Sequence, residues 1–485
     1  MSDNPAPSHP VVHGAPTELG HYSMESIPDD IIGGIFLHSL PAHGSVQPSG
    51  HSFPLVLAQI CAHWRHVALG TVQLWSSVDL TLRASSSDAS NPGIIQLLHT
   101  WFRRAKAHPL SLTVRCPHGH TDWPFGLLEL IKAYAPQFSS LALSMPSAHW
   151  EQVVRDNESF PSLRHFSLNL AIEGRVLPTI EAFPALDRIP QLEELRIHSD
   201  CDFPSLRLRS KTITTLELMG PTRFAQIEDS FPNLRNLTLR HASVKAVLIP
   251  PPSSALPLES LCVNTALFLD MVTFPHLRHL DIKLRSFQCV ELLCAFISRS
   301  GCTLLDLKLR IIEQFHDSVL IDVFKITPCV TSLIVDMRGN YNEGWRTIFS
   351  VLKSTKLLPA LRDLSMMEIL DGSEHKTEAY NHDAVASMLC ARVGQTELKS
   401  FSLALHPTNF LIYKDSTNPL TPEAFVPYGA PAGEMMRLRE EGLDVGVQVN
   451  FTGIPTMYWP LRGEDNQVPF EFPACECPQW GNRLR

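Results

Sequence analysis

The chain has 485 residues, of which 44% are hydrophobic and 18% charged, a balance typical of folded proteins and not of disordered ones. Its net charge of −9, with no run rich in Lys or Arg, argues against a nucleic-acid-binding protein, which would need a basic stripe. No apolar run approaches the roughly 20 residues of a membrane-spanning helix, so we expect no membrane partner.

The first 22 residues are rich in Pro, His, Gly and Ser and lack the basic start and apolar centre of a signal peptide. They predict a disordered tail. The eleven cysteines are scattered singly, which is typical of reduced thiols. We therefore expect a soluble intracellular protein of the cytoplasm, the nucleus or both.

A first helix is predicted from the apolar stripe in residues 27–40, IPDDIIGGIFLHSL. Pro28 suits the first helical turn, and Asp29 and Asp30 place negative charge at the positive end of the helix dipole. Gly33 and Gly34 each weaken a helix by about 1 kcal/mol relative to Ala. We expect this helix to depend on packing against another element.

A second helix is predicted after a loop of Pro, Gly, Ser and His. Its apolar stripe runs from Leu57 through Ile60, Cys61 and Trp64 to Ala68, at helical spacing. Gly70 stands where the helix should end. Leu74 and Trp75 then form a short apolar anchor before a strand-like segment. From periodicity alone, the two helices form a hairpin that caps whatever follows.

The order of residue types in this hairpin resembles the F-box, in particular the F-box-like segments of mushroom-forming fungi. The resemblance covers roughly residues 26–80: Ile-Pro-Asp-Asp-Ile-Ile, Gly-Ile-Phe, Ile-Cys-x-x-Trp-x-x-Val-Ala, Leu-Trp and Val-Asp-Leu follow in the family's order. Two departures are a long loop between the helices, residues 38–54, and Asp30 where the family usually has Glu.

The resemblance implies a Skp-type adaptor and a cullin scaffold as partners, in a cullin-RING (SCF-type) ubiquitin ligase. A helical unit of about 50 residues is too small to bury its apolar stripes alone, which fits a module that packs on a partner. The candidate adaptor contacts, some of which must instead form the core of the module, are Ile27, Pro28, Asp30, Ile31, Ile32, Ile35, Phe36, Leu57, Ile60, Cys61, Trp64, Leu74 and Trp75.

A repeated pattern, L-x-x-L-x-L preceded by an apolar residue and Pro, begins after the hairpin and needs no family knowledge to detect. Clear copies are FPSLRHFSL (160–168), IPQLEELRI (189–197), SFPNLRNLTL (230–239), FPHLRHLDI (274–282) and LPALRDLSM (358–366). Their spacing resembles leucine-rich repeats. We therefore predict an α/β fold: the helical module, residues 23–80, then an irregular leucine-rich-repeat solenoid, residues 81–451, with a parallel sheet on its concave face. Residues 433–451, GEMMRLREEGLDVGVQVNF, predict a last helix–strand unit in which the helix ends at Gly442. Residues 452–485 should form an irregular tail.

Side chains alternate along a strand, so the residue between the last two leucines of each copy should point outward. These outward residues are Ser167, Arg196, Glu217, Thr238, Cys262, Asp281, Lys308, Ile334, Ser365 and Ser402. The row mixes both charges, so a protein or peptide is a better ligand than DNA. Arg196, Glu217, Thr238, Asp281 and Lys308 are the candidate substrate contacts.

Sequence features of catalysis or metal binding are weak. Cys116, His118 and His120 lie close together, and Cys475 and Cys477 are separated by one residue, but neither group has a second cluster at zinc-site spacing. No nucleophile elbow, phosphate-binding loop or dinucleotide fingerprint occurs. We expect no cofactor, no metal and no enzymatic activity.

Three functions remain open from the sequence. The first is a substrate receptor of a ubiquitin ligase, with the hairpin on the adaptor and the repeats on a substrate. The second is a repeat scaffold whose hairpin merely caps the solenoid, without a link to ubiquitin. The third is an enzyme hidden in the repeats, for which a polar pocket with converging Cys, His and Asp side chains would be required.

Overall fold

The fold is taken from a computed structural model, which describes residues 27–40, 46–48, 53–82, 92–116, 123–146, 149–150, 159–171, 189–199, 209–219, 224–240, 256–312, 317–338, 342–370, 382–407, 427, 429–449 and 457–459. The chain divides into two compact units. Unit one comprises residues 1–173 and 184–192, and unit two comprises residues 174–183 and 193–485. The predicted N-terminal tail and most of the C-terminal tail lie outside the described residues.

Three helices open unit one: α1 (Asp29–His38), α2 (Leu57–Ile60) and α3 (Ala62–Gly70), followed by a 3₁₀ turn over Val72–Trp75. The stripe from Leu57 to Ala68 predicted one continuous helix, and this was wrong. Cys61 adopts an extended backbone that divides the segment, and its thiol accepts a hydrogen bond from the Trp64 N–H at 3.4 Å. A residue that caps a new helix must leave the helical conformation, and periodicity does not reveal that break. The predicted end at Gly70 is confirmed.

The helices of this module enclose a small core of their own. Phe36 of α1 packs edge-on against Trp64 of α3, with ring centroids 5.1 Å apart. The indole N–H of Trp75 donates to the carbonyl oxygen of Ala68 at 2.8 Å, which satisfies the one polar group of a fully buried ring. A Cβ on Gly33 would lie 3.2 Å from Thr71 Oγ1, so the glycine that weakens α1 also allows its close approach to the end of α3.

A parallel sheet completes unit one. Trp75 packs edge-on against Trp101, with centroids 4.8 Å apart, and joins the module to the first covering helix. The strands are β1 (Ser77–Thr81), β2 (Leu110–Arg115), β3 (Phe138–Pro146) and β4 (His165–Ala171), each parallel to the next. The helices between them are α4 (Pro92–Ala105) and α5 (Phe125–Ala133).

Unit two continues the same alternation of strand and return segment. Its strands are β5 (Glu194–Ser199), β6 (Thr215–Met219), β7 (Asn236–Arg240), β8 (Ser260–Val263), β9 (His279–Leu284), β10 (Asp306–Ile311), β11 (Ser332–Arg338), β12 (Asp363–Leu370), β13 (Ser400–Pro407), β14 (Asp444–Val449) and β15 (Met457–Trp459). Pairing is parallel from β5 to β14, and β15 alone is antiparallel to its neighbour.

The described helices of unit two lie between its strands: α6 (Phe224–Ser230), α7 (Phe287–Ser300), α8 (Asp317–Ile326), α9 (Asn342–Leu352), α10 (His382–Arg392) and α11 (Gly429–Glu440). The predicted α/β class and parallel sheet are confirmed. The predicted final helix–strand unit is also confirmed, as α11 and β14, with Gly442 between them at a φ of 102°. No helix in the described part of the chain is long and apolar enough to cross a membrane.

Each clear copy of the repeat folds as a turn followed by a strand. In the second unit, the carbonyl oxygen of Phe231 accepts a hydrogen bond from the N–H of Leu234 at 3.1 Å, and Phe274 and Leu277 repeat this bond at 3.2 Å. Proline occupies the second position of both turns, where its fixed φ is favourable and its missing N–H is not needed. The apolar residue, the proline and the first leucine thus set the start of each strand.

Arg392 is the largest polar side chain in the interior of the described part of unit two. It is fully buried at the end of α10, and its guanidinium donates to the carbonyl oxygens of Leu352, Ser354, Leu357 and Leu358. Leu358 has a φ of 49°, in the left-handed region that disfavours a branched side chain. Burial lowers the pKa of Arg392 to about 10, so it remains charged at neutral pH. Within the described residues its hydrogen-bond partners are carbonyl groups, and it therefore holds the loop after α9.

We predict that Arg392→Met lowers the free energy of unfolding by roughly 3 kcal/mol, because four carbonyl groups lose a charged donor in the interior. Urea denaturation followed by circular dichroism measures this change. The control is Arg362→Met, which removes an exposed arginine that pairs with Glu397 at 2.8 Å and should cost less than about 1 kcal/mol. Equal effects of the two substitutions would contradict the structural role of Arg392.

Candidate functional site

The candidate adaptor contacts of the N-terminal module fall into two classes, buried side chains and exposed or partly exposed ones. Ile32, Phe36, Leu57, Leu74 and Trp75 are buried in the core of unit one. The sequence left this division open, since helical periodicity cannot distinguish a side chain that packs inward from one left for a partner. Pro28, Asp30, Ile31, Ile35, Ile60 and Cys61 are exposed, and Ile27 and Trp64 are partly exposed.

Three isoleucines dominate the exposed class. Ile31, Ile35 and Ile60 are 53%, 52% and 58% exposed, although isoleucine is among the residues most often buried. Ile31 and Ile35 are four residues apart on α1 and therefore share one face of the helix. Ile60 ends α2, three residues before His63, whose ring lies 2.9 Å from Asp29 at the start of α1. The core of the module is thus complete without these three side chains.

The strands of unit two place the predicted outward residues in a single row. The strand register aligns Arg196 with Glu217, then Thr238, Cys262 and Asp281. It continues through Lys308, Ile334, Ser365 and Ser402. We call this the central row. Ser167 aligns instead with Ala142 in unit one, so the structure describes it apart from this row.

Glu217 is the centre of a cluster of two arginines and a histidine. Its carboxylate lies 3.0 Å from Arg240 Nε, 3.3 Å from His198 Nε2 and 3.9 Å from Arg196 Nε, and its side chain is 13% exposed. The pKa of Glu217 lies below its ordinary value. The contact with His198 is the largest cause of this lowering, and the charges of Arg240 and Arg196 add to it, while partial burial raises the pKa and opposes them.

Asp281 is the centre of a second cluster, three strands further along. Arg310 Nε donates to its Oδ1 at 2.7 Å, and Lys308 Nζ lies 4.0 Å from Oδ2. Arg310 also contacts Cys262 Sγ at 3.2 Å. Burial and the charge of Asp281 raise the pKa of Cys262 to about 11, so this thiol is protonated at neutral pH, unlike an activated nucleophile.

The functional residues that sequence reasoning missed lie two positions after the central row. His198, Arg240 and Arg310 point to the same face as Arg196, Thr238 and Lys308, because side chains alternate along a strand. Side chains two positions apart on a strand point the same way, so the residue two positions after each predicted outward residue would have identified them. They form, with Lys283, the row that we call the upper row.

The central row loses its charges beyond β10. Ile334, Ser365 and Ser402 succeed Lys308, and the Ser402 hydroxyl donates to that of Ser365 at 2.9 Å. In the upper row the corresponding position is Asp336, which is 5% exposed. The charged surface therefore extends over β5–β10 only.

Among the residues that the structure describes, no group of three His, Cys, Asp or Glu side chains could hold a metal ion. Of the clusters noted in the sequence, His118, His120, Cys475 and Cys477 lie outside the described residues. No family model and no curated protein matches this sequence.

We predict that Glu217→Gln lowers the free energy of unfolding by about 1 kcal/mol at neutral pH, because Arg240 and Arg196 lose a shared counter-charge. A carboxyl whose pKa is depressed by folding contributes stability above its unfolded pKa, near 4.5, and loses it as the pH falls through the folded value. The difference between wild type and variant should therefore be full above about pH 5 and shrink below 4.5. Urea denaturation across pH 3–8 measures it, and a difference independent of pH would contradict the ionic role.

Proposed function

We propose that the chain is the substrate-recognition subunit of a cullin-RING (SCF-type) ubiquitin ligase of the cytoplasm or nucleus. The N-terminal module binds a Skp-type adaptor in the manner of an F-box, and the cullin scaffold joins through that adaptor. The strand face of unit two, in the manner of a leucine-rich-repeat solenoid, binds a protein substrate. The observation that carries the proposal is the exposure of Ile31, Ile35 and Ile60 beside a complete core.

The exposed isoleucines support a helical partner. Full burial of one such side chain contributes about 1.5–3 kcal/mol, so leaving three in water forgoes a large stabilisation. Residues four apart on one helix fit a partner that offers an apolar groove. Asp29 and Asp30, both exposed, precede them on α1 and supply a polar edge, as interfaces commonly have around an apolar centre, while Pro28 and Cys61 are exposed nearby.

The strand face supports recognition rather than chemistry. Its central row combines short polar residues with charged ones and is accessible along its length. The Cys262 thiol, the one thiol in that row among described residues, is kept protonated. In a receptor, binding a substrate beside a charged conjugating enzyme raises the local concentration of its lysines, and no receptor side chain needs to react.

One observation favours a repeat scaffold as a second candidate. Strand β1 of the module pairs in parallel with β2, and Trp75 packs on Trp101, so the module also covers the first strand pair of unit one. A cap needs these contacts, but it does not need exposed isoleucines on α1 and α2, since a cap should present a polar outer face. Receptor and scaffold therefore differ in what binds Ile31, Ile35 and Ile60.

We predict that the full chain binds a purified Skp-type adaptor and that the triple variant Ile31→Ser, Ile35→Ser, Ile60→Ser weakens binding by at least about 100-fold. Three lost apolar contacts exceed the roughly 2.8 kcal/mol that this factor represents. Isothermal titration calorimetry measures the affinity. The substituted side chains are exposed, so the thermal melting curve should remain that of the wild type.

The matched control is Leu267→Ser, which removes an apolar side chain of equal exposure, 54%, from unit two. Its affinity for the adaptor should equal that of the wild type. If the wild-type chain fails to bind the adaptor, or the triple variant binds as tightly as the wild type, the receptor proposal fails and the scaffold stands.

A further inference from the structure

The upper and central rows of β5–β10 carry a surplus of positive charge in a protein of net charge −9. Their cations are Arg196, Arg240, Lys283, Lys308 and Arg310, and their carboxylates are Glu217 and Asp281. The five cations outnumber the two carboxylates by three, and by two when Glu194, which pairs with Arg196 from the adjoining row, is counted as well. A local surplus opposite in sign to the whole chain attracts negatively charged ligands to this face.

Carboxylates hold these cations in defined positions. Arg240 approaches Glu217 through Nε, whereas Arg196 Nε donates to Glu194 and lies 3.9 Å from Glu217. Both arginine side chains remain about half exposed, so their terminal nitrogens can reach a ligand. Lys308 reaches Asp281 only at 4.0 Å and is 36% exposed. Guanidinium groups fixed through Nε can still donate two parallel hydrogen bonds to an incoming carboxylate. Each cluster is thus ordered before a ligand arrives.

The row on the opposite side of the central row has carboxylates but no Lys or Arg. Glu194 and Asp306 stand at its two ends within β5–β10, with Thr215, Asn236, Ser260 and His279 between them, and Asp363 and Asp444 continue it on β12 and β14. An acidic ligand is repelled from that edge and attracted to the upper row. Asp336 ends the positive surface at β11. These charges confine an acidic ligand to a strip that crosses β5–β10.

The distance between the clusters sets the spacing of the ligand. Glu217 lies on β6 and Asp281 on β9, three strand intervals apart. At about 4.8 Å per interval the separation is roughly 14 Å, which an extended peptide covers in about four residues at 3.3 Å each. Side chains of an extended peptide alternate between its two faces, so two side chains four residues apart lie on the same face.

We propose that this strip binds an extended acidic segment of a protein, with acidic side chains about four residues apart, one at the Arg196–Arg240 cluster and one at the Lys308–Arg310 cluster. Thr238 and Cys262, which separate the clusters, are short enough to leave room for the peptide backbone. This deepens the receptor proposal by naming its substrate class and, as a substrate site, rests on it. The peptide binding itself needs only unit two.

The test uses the full chain and fluorescein-labelled twelve-residue Gly/Ser peptides in an anisotropy titration at low salt. The acidic peptide carries two Glu-Glu pairs whose first members are four residues apart, and its control has Gln in their place. We expect the acidic peptide to bind at least about tenfold more tightly than the control, with an affinity that falls as salt is added. A peptide with four contiguous glutamates should bind more weakly than the spaced one.

Two variants locate the binding. The double variant Arg196→Ser, Arg240→Ser should weaken binding of the acidic peptide by about tenfold. The variant Thr238→Glu adds a negative charge between the clusters and removes no existing ion pair, and it should also weaken binding of the acidic peptide by about tenfold. The matched control is Arg235→Ser, since Arg235 precedes the same strand, is 60% exposed and pairs with Glu259 at 3.0 Å. It should change the affinity less than twofold.

The alternatives have distinct outcomes. Equal binding of the Glu and Gln peptides, or equal losses from Arg235→Ser and the double variant, would overturn the proposal. The proposal would also be overturned if single-stranded DNA bound more tightly than the acidic peptide and the double variant abolished that binding. The ligand of the strip would then be a nucleic acid. Tighter binding of a phosphoserine peptide of the same spacing would support the strip and assign it to phosphorylated segments. The adaptor is absent throughout, so failure here leaves the adaptor experiment of the preceding proposal unaffected.

Discussion

Parallel pairing of successive strands in the same register is the constraint on which the rest of unit two depends. Each copy of the repeat places its leucines at alternate positions, and the register stacks inward positions on inward positions from β5 to β14. The same register necessarily aligns the outward positions. The hydrophobic core and the charged rows are therefore two consequences of one alignment, and a slip by one residue would exchange them.

The sequence predicted the parts of the fold that arise from short-range patterns. Alternating leucines, apolar-Pro turns and Gly442 all act within a few residues, and the strands and the final helix–strand unit follow from them. The break of the second helix at Cys61 was not predictable in this way, because a thiol cap competes with an otherwise continuous helical stripe. Arg392 was missed for a different reason: its carbonyl partners lie 34–40 residues away in the chain.

The candidate surfaces also combine features that short-range patterns predict with features that depend on contacts between distant parts of the chain. Alternation predicted the members of the central row, yet the chain alone did not reveal that Arg240 and Arg310 converge on Glu217 and Asp281, since those contacts join residues of neighbouring strands. In the N-terminal module, periodicity gave one apolar set, and only the packing of α1 on α3 separates Ile32 and Phe36 from Ile31 and Ile35. The role of both surfaces in binding stays a prediction.

The carboxylates of Glu217 and Asp281 answer an objection to an acidic ligand, namely that a site for anions should contain no anions. Without them, Arg196 and Arg240, two strands apart, and Lys308 and Arg310, two residues apart on β10, would repel one another, and their long side chains would spread into solvent. Glu217 lies against Arg240 and Arg196, and Asp281 lies against Arg310 and Lys308, which leaves the remaining donors outward; Glu194 also pairs with Arg196. The cost is one unit of positive charge per cluster, and the gain is that less side-chain entropy is lost on binding. A preordered cluster with a smaller net charge can therefore discriminate acidic segments better than a mobile one with a larger charge.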